Sequence, residues 1–258
     1  MVKSNQWAVW MTSAAWIVMG AAAVAQNPAP CTTPVALGAM SYGPQPKVGA
    51  PYSATLTTTR DQKLADGSVV HGSVTTYQAR DSAGREWFKR SLGCQPGPDG
   101  VRRPDIQTLV HDPGTGTTAS WEEDDPAKIL HVLHDPPGNP LPPAKTGPAA
   151  DAAGRRALEE MGIHTEDLGS KKIAGVMAEG TRSAQTVLAR QPGIAQPIKI
   201  VGEQWISKDL DLEMLGIDDN SKNGRTASEV VDLKLGEPNA ALFAPPAGYR
   251  IVDIKPAR

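Results

Sequence analysis

The sequence predicts a mainly β protein: a strongly curved, antiparallel sheet of about ten strands, with one amphipathic helix covering its concave side. Three observations predict it. Segments of alternating polarity, rich in Thr, recur between Gly-, Asp- and Asn-containing turns. Only one stretch carries a convincing helical period. The 258 residues include 25 Gly and 23 Pro, a composition of many turns and short strands.

The first element is a leader. Lys3 supplies a positive start, Trp7 to Gly20 form an apolar core, and Ala23-Val24-Ala25 offers a small-x-small cleavage site before Gln26. That core is shorter than the ~20 apolar residues of a membrane span, and no later segment is long and apolar enough for one. The expectation is a cleaved signal peptide over 1–25 and a periplasmic or secreted mature chain that is not an integral membrane protein. Removing Lys3 with the leader takes Lys+Arg from 26 to 25 against 28 Asp+Glu, a net charge of −3. So slight a charge argues against a nucleic-acid partner.

Residues 26–50 are Pro-, Gly- and Ala-rich and are expected to be an irregular arm. The remainder, 51–258, is expected to be a single β-domain. Tyr52–Leu64 alternates, Ala65-Asp66-Gly67 makes a hairpin turn, and Ser68–Arg80 returns. Asp81-Ser82-Ala83-Gly84 is the next turn and Arg85–Leu92 a third strand. Two consecutive hairpins form a meander, which requires antiparallel pairing. Asp105–His111, Thr117–Trp121 and Lys128–His134 read as further strands. A Pro-dense loop follows at 135–149.

Asp151–Met161 is the helix, with Asp151 as its cap and Gly162 at its end; Ala153, Ala157, Leu158 and Met161 share a face. Strands resume with a short one near Thr165–Leu168, a long β-pattern over Lys171–Arg190, then Ile198–Ser207, Leu210–Ile217 and Thr226–Leu235. Asn223-Gly224 is a strong turn signal. A helical turn is expected around Asn239–Phe243.

Cys31 and Cys94 are the only cysteines. In an oxidising compartment the expectation is a disulfide. It would close a 63-residue loop, worth roughly 4 kcal/mol by chain entropy.

No catalytic residue is assigned. Gly114-Thr115-Gly116-Thr117-Thr118-Ala119 matches a dinucleotide pattern, but that motif needs a helix after it, and Thr117-Thr118 favours a strand; a hairpin loop is expected. His131 and His134 lie three apart on a strand and point to opposite faces, so no metal site is expected. No cofactor-binding motif is present. Paired carboxylates such as Glu122 and Glu179 keep a hydrolase open as an alternative, and a non-catalytic sensory or interaction domain is a third reading.

The C-terminal run Pro238-Asn239-Ala240-Ala241-Leu242-Phe243-Ala244-Pro245-Pro246-Ala247-Gly248-Tyr249 resembles the "P-x-x-x-L-F-x-x-P-x-G-Y" close of the LolA-like and RseB-like family, periplasmic proteins related to lipoprotein carriers. Leu168-Gly169-Ser170-Lys171-Lys172-Ile173-Ala174-Gly175 is similar to that group's "LG-x-x-x-I-x-G" strand entry. The resemblance implies an unclosed half-barrel whose cavity holds an acyl chain, another apolar small molecule or a lipidated protein. No ligand residue of the family matches position by position. Several strands carry apolar residues on both faces, as in Ile129, Leu130, Val132 and Leu133, so something must cover the second face. The helix residues Ala157, Leu158 and Met161 are the expected ligand-cavity lining.

Overall fold

The computed structural model describes residues 47–96, 100–123, 125–135, 148–188 and 196–254. The leader, Cys31, most of the 26–50 arm and most of the 135–149 loop lie outside them. Six strands come first: β1 (Tyr52–Lys63), β2 (Val69–Arg80), β3 (Glu86–Pro96), β4 (Arg102–Asp112), β5 (Thr117–Glu122) and β6 (Ile129–His134). Helix α1 (Pro148–Glu160) leads into β7 (Ile163–Ile173), β8 (Val176–Val187), β9 (Ile198–Ser207), β10 (Leu212–Asn220) and β11 (Gly224–Leu235). A 3-10 turn (Ala240–Phe243) and β12 (Arg250–Ile254) end the described chain.

All twelve strands join one curved sheet in the order β12-β6-β5-β4-β3-β2-β1-β11-β10-β9-β8-β7. The sheet does not close: β7 and β12 are its two edges. Pairing is antiparallel except for β12, which runs parallel to β6. The two meanders meet where β1 pairs β11, with a register shift between Thr55 and Leu56.

The local chemistry explains the turns. Asp66 accepts from the Ser68 amide at 2.9 Å, and Gly67 sits at φ 86°. Asp112 accepts from the Gly114 amide at 2.8 Å, closing the β4–β5 turn where the dinucleotide-like pattern stands; a strand follows it. Gly162, at φ 73°, stops α1.

Twelve strands among the described residues form the expected curved antiparallel sheet. Three expectations are corrected. Lys171–Arg190 is not one β-pattern, because Ala174 (φ 46°) and Gly175 (φ 86°) reverse the chain between β7 and β8. Helix α1 starts at Pro148, three residues before Asp151, so Asp151 is not its cap. The final strand β12 was not foreseen; it pairs in parallel with a distant strand, and no local turn announces it.

Two apolar cores form. One gathers Tyr52, Ala54, Trp205, Leu212, Met214 and Val230; Gly180 leaves room for Trp205, whose ring lies 2.6 Å from where a Cβ would stand. The other packs Ala79, Val110, Trp121 and Leu130 under Phe243 of the 3-10 turn. Asn239 caps that turn by accepting from the Ala241 amide at 3.0 Å, which delivers Leu242 and Phe243 onto the sheet. No helix among the described residues is long and apolar enough to cross a membrane.

Candidate functional site

Cross-strand partners share a face of a sheet, and so do residues two apart along a strand. The register therefore builds two parallel rows across β2–β5. The inner row is Ala79, Trp87, Val110 and Ala119; the outer is Tyr77, Lys89, Thr108 and Trp121. The inner row belongs to the second core. The outer row is the floor of a cleft of about 990 Å3.

The chain's last segment makes the opposite wall. Leu242, Pro245, Pro246 and Tyr249 stand beside Trp87 and Trp121. The Tyr249 hydroxyl donates to the Glu122 carbonyl at 2.9 Å and lies 3.2 Å from that of Glu123, tying the wall to the end of β5. Phe243 beneath it is buried, with the Arg85 guanidinium 4.9 Å from its ring. Four of the eight described aromatic side chains, Tyr77, Trp87, Trp121 and Tyr249, thus meet in one cleft. Among the described residues its charges form one pair, Lys89 Nζ donating to Glu123 at 2.7–2.8 Å. The Thr108 hydroxyl lies 3.4 Å from the same carboxylate.

A second cavity, about 550 Å3, lies where α1 meets the other half of the sheet. Leu158 and Ile163 are its apolar side. Its floor is polar: Thr181, Gln204, Gly216 and Ser228 align across β8–β11, with Ser183, Gly202, Asp218 and Thr226 in the next row. Glu213 joins them, accepting from Gln204 at 3.0 Å. Burial pushes its carboxyl above the ordinary range, against the pull of that hydrogen bond.

Of the expected lining, Leu158 borders the cavity beside α1. Ala157 is exposed, and Met161 is 59% exposed. Helix α1 packs on edge strand β7, so only one side of it overhangs the sheet. The aromatic cleft was missed, although its wall is the very segment that carried the family resemblance. The signal available was that Trp87, Trp121 and Tyr77 all sit on strands of one meander.

Glu122 on β5 and Glu179 on β8 stand eight places apart in the sheet order. His134 faces Asp253 at 3.3 Å, while His131 leaves a buried ring nitrogen unpaired. Among the described residues no three His, Cys, Asp or Glu side chains converge as a metal site. Cys94 is half-buried in β3, and its expected partner lies outside the described residues.

No family profile matches the chain, and no curated protein sequence does. Solved structures do resemble it. A conserved protein from Thermus thermophilus is 12% identical, with a TM-score of 0.40 over 80% of this chain and 91% of that one. The Pseudomonas aeruginosa MucA/MucB complex gives 16% identity and a TM-score of 0.39 over 80% of this chain and 59% of that one. A LolA superfamily protein from Nitrosomonas europaea gives 9% and 0.28, over 76% and 90%.

Proposed function

We propose that this chain is an exported, non-catalytic binding or carrier module that holds the apolar surface of a small molecule or lipidated partner in the β2–β5 cleft. The supporting observation is the aromatic wall of Tyr77, Trp87, Trp121 and Tyr249 around about 990 Å3. Ligand sites are characteristically concave, largely apolar and furnished with a few polar groups. The cavity beside α1 fits an apolar guest less well, since it is smaller and its lining carries three carboxyls, those of Glu203, Glu213 and Asp218. The mature chain is read as a single domain of residues 51–258 behind the 26–50 arm, working in the periplasm or outside the cell. Its start at Gln26 is checked by intact mass of exported protein, where a retained Met1 would refute cleavage.

The binding reading is tested with a neutral naphthylamine dye that brightens in apolar surroundings. Wild-type protein should enhance its emission, Trp87→Ala should lower the enhancement severalfold, and Leu158→Asp should leave it unchanged. No enhancement by wild type, or loss with Leu158→Asp alone, would sink the assignment.

A further inference from the structure

The polar groups of the aromatic cleft carry information about the ligand that its apolar wall does not. Among the described residues the charges cancel, because Lys89 and Glu123 are paired at 2.7 Å and no other described charged side chain lines the cleft. A charged ligand would have to break that pair. Donors and acceptors are both on offer. Lys89 and the two indoles can only donate, Glu123 can only accept, and the exposed Tyr77 hydroxyl does either. No described group accepts from the indole N–H of Trp87 or Trp121, and neither nitrogen is sealed from solvent. The rim is therefore made for partners that donate and accept in turn, set beside flat apolar faces.

Three ligand chemistries can be compared on this ground. An acyl chain has polar atoms only at its carboxyl end; covering Lys89, Glu123 and two indole N–H groups with the chain would leave them unsatisfied. A proline-rich peptide lays ring faces on aromatics and presents carbonyl acceptors, but proline has no N–H for Glu123. A pyranose ring has apolar C–H faces to lie on Trp and Tyr, and an edge of hydroxyls that both donate and accept. This last chemistry uses the aromatic wall and the Lys89–Glu123 edge together. A volume of about 990 Å3 lies at the upper end of the ~300–1,000 Å3 typical of small-molecule sites, room for more than one ring.

We propose that the β2–β5 cleft binds a short, neutral oligosaccharide, with ring faces against Trp87 and Tyr77 and hydroxyls on Lys89 and Glu123. This rests on the reading of that cleft as the binding site and names the ligand class for it. The test is calorimetric titration of the full chain with a panel of four-unit β-1,4-glucan, α-1,4-glucan and β-1,4-N-acetylglucosamine oligomers, with dodecanoate and a ten-residue polyproline peptide as the other arms. At least one oligosaccharide should bind. Tyr77→Ala, on an exposed ring whose loss leaves both cores intact, should weaken it at least fivefold, and Glu123→Gln at least tenfold, with circular dichroism unchanged. Dodecanoate or polyproline binding alone, weakened by Trp87→Ala, would overturn the saccharide assignment and leave the cleft standing. Oligosaccharide binding indifferent to Tyr77→Ala and Glu123→Gln would also overturn it. If no arm binds and the naphthylamine dye is not taken up either, the cleft itself fails as a site.

Discussion

Arg80 is almost fully enclosed, and its partners explain how a guanidinium is tolerated there. It donates to the carbonyls of Ala50 and Leu210, lies 4.9 Å from the centre of the Tyr52 ring and stands 4.0 Å from Glu86. Burial pushes the Tyr52 hydroxyl up to about 12 and the Glu86 carboxyl above its ordinary range, with Arg80 pulling each back. A carboxyl raised in the folded state binds its proton more tightly there than in the unfolded chain. Its contribution thus favours folding below the unfolded value near 4.5 and is lost as pH rises through the folded one. Glu86→Gln should flatten that part of the stability curve, measured as urea midpoints across pH 4–7; an unchanged slope would contradict the burial argument. Gly224 offers a second check. It holds φ 102°, and a Cβ there would stand 1.8 Å from the Asp61 carbonyl oxygen. Gly224→Ala should cost on the order of 1–3 kcal/mol, read from urea unfolding, and a neutral result would mean the β1–β11 register is wrong.

Among the elements, the short 3-10 turn matters more than the longer helix. Phe243 is 6% exposed in the second core, and Tyr249 fastens the following wall to the end of β5. Phe243→Ala should destabilise by ~3–5 kcal/mol, the usual loss for an emptied aromatic site. Tyr249→Phe should cost only ~0.5–1.5 kcal/mol while lowering dye uptake. If dye uptake survives in Tyr249→Phe, the wall does not need that anchor. Sequence reading favoured α1 for a physical reason. A 3.6-residue period is visible in one dozen residues, and it correctly located the helix around Leu158. The cleft is spread over Tyr77, Trp87, Trp121 and Tyr249, brought together by strand register, which a single sequence does not show. The turns at Gly67, Gly84 and Gly162 were legible because each is local chemistry. The parallel partner of β12 was not, because 121 residues separate Leu130 from its partner Ile251 and nothing in either segment names the other.

At the scale of the whole molecule, the open sheet raises the question of what anchors the N-terminal arm. Its two edges, β7 and β12, are far apart in the strand order, and the arm enters beside β1 in the middle. Among the described arm residues, the Gly49 amide donates to the Ser82 carbonyl at 3.0 Å, the Ala50 carbonyl accepts from Arg80 and Lys47 Nζ donates to the Lys208 carbonyl. A Cys31–Cys94 disulfide would hold the arm to β3, two strands away from β1. The chain-entropy estimate for its loop, roughly 4 kcal/mol, corresponds to a shift in Tm on the order of 10 °C for a domain of this size. Native-state strain can reduce that gain. Oxidised protein should therefore melt well above protein treated with reductant, and Cys31→Ser should melt with the reduced form whether or not reductant is present. Non-reducing peptide mapping should join the two cysteines in one fragment. Two thiols that alkylate readily in exported, unreduced protein would refute the link, and a melting temperature indifferent to reductant would show that the sheet holds the arm without it.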